Sequence, residues 1–211
     1  IGYHDYIVSL YYDPENPLSR TESMTRSVTF QVTDDCCMNC SYCYQGHKGH
    51  RIMSKEVARK GVDLLFDMYD KNDSPFINHK TKAIILDFIG GEPLMAIDVI
   101  DYICTYFVQK CIELDHPWLY TWRASMTSNG ALYFDPAVQS FLKKFRGNVS
   151  FSITLDGPKE IHDACRVYHD GRGNFDDAYA AMKHFNSHYY EELLPDITDE
   201  SRQASPLVCA N

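Results

Sequence analysis

Val28-Thr29-Phe30-Gln31-Val32-Thr33-Asp34-Asp35-Cys36-Cys37-Met38-Asn39-Cys40-Ser41-Tyr42-Cys43 is the stretch that decides the fold. Val28, Phe30 and Val32 alternate with polar residues, the period of a β-strand with one face in a core. The pattern then stops, and four cysteines crowd into positions 36–43. Cys36, Cys40 and Cys43 are spaced C-x3-C-x2-C. Three thiolates so close can hold three corners of a [4Fe–4S] cluster and leave the fourth iron open for chemistry. Four cysteines would close the cluster for electron transfer.

Outward from this loop the chain alternates strand and helix patterns, as a parallel α/β sheet requires. A helix is expected from about Ser54, its N-cap, with Val57, Gly61, Leu64, Leu65 and Met68 on one face. Ala83–Ile89 is almost wholly apolar, the pattern of a strand buried on both faces, and Gly90-Gly91-Glu92-Pro93 comes next. A second helix carries Ile100, Ile103, Cys104, Phe107, Val108 and Cys111. Tyr120, Trp122, Ala124 and Met126 alternate as a third strand that ends in Thr127-Ser128-Asn129-Gly130. Asp135-Pro136 opens a third helix as N-cap and first-turn proline, with Val138, Phe141, Leu142 and Phe145 inward. Val149, Phe151, Ile153 and Leu155 form a fourth strand before Asp156-Gly157-Pro158, a turn suited to fixing the next helix. A last helix from about Asn174 presents Phe175, Ala178, Met182 and Phe185.

Each polar, glycine-bearing turn comes directly after a strand. In parallel α/β sheets those turns share one rim, at the carboxyl ends of the strands, where ligands bind. The cysteine loop is expected on that rim. Residues 2–12 read as a strand or hairpin, and the chain turns polar after about Tyr190. We therefore divide it into an N-terminal extension (1–27), a core (28–190) and a polar tail (191–211). About four βα units cannot close an eightfold barrel, so the expected fold is α/β, a partial TIM-like (β/α) barrel in a chain that reads as a fragment.

The formal charge of −9 argues against a general nucleic-acid binder, because phosphate contact needs clustered Lys and Arg. No stretch is long and apolar enough to cross a membrane. Clustered thiols suit a metal or cluster better than long disulfides, which places the chain in a reducing cytoplasm.

With the cysteines and the rim turns together, the sequence resembles the radical S-adenosylmethionine (radical SAM) enzymes. More narrowly it is similar to their anaerobic sulfatase-maturase and peptide-maturase branch, which usually adds a SPASM domain. The resemblance runs from about Val28 to Phe185. It rests on the cysteine motif with Tyr42 before its last member, Gly90–Leu94, Thr127–Gly130 and Thr154-Leu155-Asp156-Gly157-Pro158-Lys159-Glu160-Ile161-His162-Asp163. Arg166 and Gly171-Arg172-Gly173 extend it.

The resemblance implies a [4Fe–4S] cluster on Cys36, Cys40 and Cys43, with SAM chelated at the open iron and cleaved to a 5'-deoxyadenosyl radical that takes hydrogen from a substrate. It implies SAM contacts from Tyr42 on the adenine side, from Gly90, Gly91 and Glu92, and from Ser128 and Thr154. Gly91 is expected against the amino group and Arg166 on the carboxylate. The glycines suit a close approach of the methionine end to the backbone. The implied partners are a peptide or protein substrate and an external reductant of flavodoxin or ferredoxin type. No catalytic base has a counterpart here.

Other readings stand beside this one. The cysteines also suit a non-catalytic module, either a structural zinc site completed by Cys37, His47 or His50 or a ferredoxin-like C-x2-C-x2-C at Cys37, Cys40 and Cys43 that lacks a fourth ligand. A third reading is a radical SAM enzyme acting on a small molecule. Cys37 is left unassigned, and Cys104 and Cys111 read as small core hydrophobes. Cys165 reads the same way, and Asp156 reads either as a catalytic residue or as part of a turn that fixes the following helix.

Overall fold

The computed structural model describes residues 25–46 and 49–188. The expectations for residues 2–12, for His47, and for the 191–211 tail lie outside the described residues. Four strands, β1 (Thr25–Gln31), β2 (Ala83–Ile89), β3 (Trp122–Ser128) and β4 (Val149–Ile153), form one sheet in the order β1-β2-β3-β4. Every neighbouring pair is parallel. The connections carry helices α1 (Lys55–Lys71), α2 (Ile97–Glu113) and α3 (Pro136–Lys144), and α4 (Lys159–Cys165) and α5 (Phe175–His188) come after β4. The expected α/β class holds.

The register explains the core. Phe30, Phe88, Met126 and Phe151 form one row across the sheet. All four are buried, together with helix residues such as Val62, Phe66, Ile100, Phe107 and Phe141. The neighbouring row on the other face is Thr29, Asp87, Ser125 and Ser150. β2 is therefore not buried on both faces as its apolar run implied. Ile84, Leu86 and Phe88 are buried, Ala83, Ile85 and Asp87 are half-buried, and Ile89 is exposed.

Helix α1 keeps Gly61, Leu65 and Met68 on the core side as expected and corrects the reading at Val57 and Leu64. Ser54 is its N-cap, accepting from the Val57 amide at 3.2 Å. The buried face is Ala58, Val62, Leu65 and Phe66, whereas Val57 and Leu64 are 54% and 55% exposed. Two apolar stripes about 100° apart compete along this helix. The one bearing Phe66 wins because its ring packs with Phe107, His116 and Trp118. Gly61 keeps its expected place, since a Cβ there would stand 2.9 Å from the Phe30 ring.

Helix α2 buries Ile100, Ile103, Cys104, Phe107 and Cys111 as expected, with Val99 in addition and Val108 half-buried. Burial pushes the Cys104 and Cys111 thiols up, as for small core hydrophobes. Asp135 caps α3 through the Ala137 amide at 2.8 Å, with Pro136 in the first turn. Tyr120 belongs to a 3-10 turn (Pro117–Tyr120) and is 84% exposed, so the third strand begins only at Trp122. The structure also inserts α4 between Asp156-Gly157-Pro158 and the helix expected from Asn174. Among the described residues no helix is long and apolar enough to cross a membrane.

Candidate cluster and cofactor site

The cysteine loop leaves β1 and is tied down at its base. Thr33 pairs with Ile52 in an antiparallel bridge. The Asp34 carboxylate accepts from the Arg51 backbone at 2.7 Å and from its Nε at 2.8 Å, contacts that hold the Asp34 pKa down. The far side of the loop docks on the segment after α4. The Asn39 amide donates to the Val167 carbonyl (2.7 Å) and that of Ser41 to the Cys165 carbonyl (2.9 Å). Met38, fully buried, bridges to Tyr168, and His169 Nε2 lies 2.9 Å from the Cys36 carbonyl. Polar contacts at both ends, with Met38 buried between them, thus fix the loop.

Gly90 and Gly91 serve this loop. A Cβ on Gly91 would collide with the Asp35 carbonyl and stand 2.8 Å from the Cys36 Cβ; one on Gly90 would stand 2.5 Å from the Thr33 carbonyl oxygen. The close approach these glycines permit is that of the cysteine-bearing backbone. The next residue locks the contact, its Glu92 amide donating to Asp35 O at 2.8 Å.

Glu92 itself is buried. Its carboxylate accepts from the Leu94 amide (3.1 Å), the Ser128 hydroxyl (2.8 Å) and the Asn129 amide (2.8 Å). Burial raises its pKa to about 7, and the three hydrogen bonds offset part of that rise. The carboxylate joins the turn after β2 to the turn after β3, and Ser128 spends its hydroxyl on Glu92 and on the Gly130 amide.

On the opposite wall Arg166, 9% exposed, donates to the Tyr42 hydroxyl at 2.6 Å and lies 3.7 Å from Asp156. The Tyr42 hydroxyl in turn donates to Asp156, and burial, reinforced by that carboxylate, raises the Tyr42 pKa. Asp156 is thus an anchor for both side chains. Arg166 Nε is buried without a hydrogen-bond partner among the described residues. A buried guanidinium with a spare donor suits an anionic ligand.

One cavity of about 210 Å³ gathers most of these groups. It is lined by Cys36, Cys40, Cys43 and Tyr42 from the loop, Gly91 and Glu92 after β2, Ser128 and Asn129 after β3, and Thr154 and Arg166 after β4. Every sequence-expected site residue is there except Gly90, which lines an adjoining cavity with Tyr44, Asp87 and Thr127. Three thiols beside a buried cation with a spare donor fit an iron–sulfur cluster carrying an anionic ligand. Among the described residues no three Cys, His, Asp or Glu side chains are close enough to hold a single metal ion. A cubane is less demanding, because each thiolate takes a different iron. His50, a zinc-ligand candidate, pairs instead with Asp35 at 3.0 Å.

Sequence reasoning missed a buried polar relay behind the cavity. The Asp156 amide donates to His162 Nδ1 (3.2 Å), His162 Nε2 meets Asn174 Oδ1 (3.1 Å), and Asn174 Nδ2 donates to the Asn129 carbonyl (3.1 Å). His162 and Asn174 are fully buried. Both sit in stretches the sequence had marked, but nothing in a linear pattern tells a buried histidine from a solvated one. Cys165 is half-buried, and its backbone rather than its thiol holds the loop.

Residues 25–158 match the family described as "4Fe-4S single cluster domain". The chain belongs to that family. Relatives of this cluster domain include the radical SAM cyclopropyl synthase TigE of Paramaledivibacter caminithermalis, 23% identical over 177 residues, 77% of this chain and 33% of the relative. The serine-type anaerobic sulfatase-maturating enzyme of Bacteroides thetaiotaomicron is 24% identical over 182 residues, 82% of this chain and 39% of the relative. Among solved structures, "Native anSMEcpe with bound AdoMet and Kp18Cys peptide" superposes with a TM-score of 0.59 at 22% identity. That match covers 78% of this chain and 41% of the other, and at this identity it is a likeness of fold. The resemblance to radical SAM maturases drawn from the motifs holds. The chain spans well under half the length of these relatives.

Proposed function

We propose that this chain is the cluster- and SAM-binding part of a radical SAM enzyme that modifies a peptide or protein, and that its four strands belong to a partial (β/α) barrel. The observation that carries the reading is one cavity bounded by the three-cysteine loop, the Gly-Gly turn and the buried Arg166 with its spare Nε. Cys36, Cys40 and Cys43 hold the [4Fe–4S] cluster. When bound and reduced by an external one-electron carrier, the cluster supplies the electron that cleaves the SAM sulfonium.

The chain's own residues bind and orient. Arg166 pairs with the SAM carboxylate through donors that Tyr42 and Asp156 leave free. Tyr42 flanks the adenine, Thr154 offers a hydroxyl from the end of β4, and the Gly91 backbone faces the amino group. Glu92 and Ser128 brace the site from behind, because their polar atoms are already engaged with each other. A peptide or protein substrate is favoured by the names of the relatives, a sulfatase-maturating enzyme among them, and by the peptide bound in the anSMEcpe structure. The reaction belongs in a reducing, anaerobic cytoplasm, where cluster and thiols survive.

Anaerobic reconstitution tests this. The chain should take up about four irons per three-cysteine site and, when reduced, release 5'-deoxyadenosine from SAM. Cys40→Ala should abolish loading, Cys37→Ala should leave it intact, and Arg166→Ala should weaken SAM binding at unchanged iron content. A chain that binds zinc and ignores SAM would overturn the proposal.

A further inference from the structure

The geometry points to Asn129 as a positioning residue that directs a side-chain N–H at the sulfur of Cys36, beside the thiol of Cys37 that is not a cluster ligand, and so sets the reduction potential of the cluster. The inference rests on the reading of Cys36 as a cluster ligand.

Asn129 Nδ2 lies 3.4 Å from Cys37 Sγ and 4.0 Å from Cys36 Sγ. The two ends of an amide are not told apart by shape, so the donor must be assigned from its partners. Here the other end decides. Asn129 Oδ1 accepts from the Ala131 amide at 2.9 Å, which needs an oxygen at that position and leaves the NH2 facing the sulfurs.

The side chain cannot swing away easily, because its backbone is held on both sides. The Asn129 amide donates to Glu92 and its carbonyl accepts from Asn174, which is itself held by His162. The residue is 5% exposed, so the donor works where water competes little. The His162–Asn174 relay therefore helps to hold the backbone from which this amide is aimed.

Hydrogen bonds to cluster sulfurs are among the levers that set the potential of an iron–sulfur centre. A donor stabilises the extra negative charge of the reduced state, so Asn129 makes the cluster easier to reduce. Both backbone links of Asn129 survive truncation of its side chain, so an alanine variant separates tuning from folding.

The test is a reductive titration of the anaerobically reconstituted chain, monitored by electron paramagnetic resonance, beside iron and sulfide content. Asn129→Ala should load as much iron as the wild type and titrate at a more negative potential. Asn129→Asp keeps the acceptor for the Ala131 amide but turns an anion toward the sulfurs, and should shift further in the same direction. An unchanged potential in Asn129→Ala at equal iron overturns the inference and leaves the cluster reading intact. Failure of the wild type to load a cubane overturns that reading, and the inference with it. Should both variants fail to fold, the wild type decides: with 15N in its asparagine side-chain amides the reduced cluster should show a nitrogen hyperfine coupling. Its absence overturns the inference.

Discussion

On the helix-covered side of the sheet, Phe30, Phe88, Met126 and Phe151 make one unbroken apolar row; on the other side the neighbouring row reads Thr29, Asp87, Ser125 and Ser150. The two rows are one residue apart on the same strands. One belongs to a close-packed interior, where each buried side chain touches many others and its loss leaves a cavity. The other is polar, half-open and leads up to the rim where the cysteine loop sits. Packing is therefore concentrated on one face, while the site at the rim draws on both, with Thr127 from one face and Ser128 from the other. The rim is held mainly by directed polar contacts, and the core by packing.

The sharpest test of this contrast is Phe151→Ala, expected to cost about 3–5 kcal/mol in denaturant unfolding. A loss below about 1 kcal/mol would mean that the apolar face does not carry the fold. The rim should break differently. Gly91→Ala forces a methyl against Asp35 and Cys36. It should cost about 1–3 kcal/mol, as overpacking does, and lower iron content beyond what the lost stability explains.

Glu92 gives a subtler signature. Its pKa rises on folding from 4.5 to about 7, so the folded state holds this proton more tightly. Its contribution to stability is complete below about pH 4.5 and is lost as pH rises toward about 7, with a slope of up to ~1.4 kcal/mol per pH unit. Glu92→Gln should flatten that slope, as read from unfolding midpoints across this range. The smallest effect is expected on the polar face, where Ser125→Ala should change stability by no more than about 0.5 kcal/mol. A larger loss would show that this face contributes to holding the fold as well.

Much of this was legible in the sequence, and the exceptions have a common cause. Val138, Phe141 and Leu142 on α3, with Phe145 at its C-cap, were readable because one stripe of apolar residues had no rival. On α1 two stripes competed, and the aromatic cluster around Phe66 decided between them. The run Ala83–Ile89 looked buried on both faces because apolar residues occupy both, yet among the described residues one face, with Ile84, Leu86 and Phe88, is buried and the other is half-buried or exposed. At the site, the motifs marked Cys36, Gly91, Ser128, Thr154 and Arg166, and the structure brings them around one cavity. The motifs did not show that Glu92 and Ser128 engage each other, or that Asn129, His162 and Asn174 form a buried chain.

By itself, the sequence determined the order of the four strands, the helices that follow the first three of them, and the thiol-bearing loop that comes after the first strand, but not the short helix α4. Period, capping residues and cysteine spacing are local properties, written along the chain. Only the tertiary structure decided which face of β2 is covered, which stripe of α1 is buried, and which polar side chains meet across the rim. Those outcomes depend on contacts between residues far apart in the chain, such as Asn129 with Cys37 or Arg166 with Tyr42. Their strength comes from burial, which no linear pattern records.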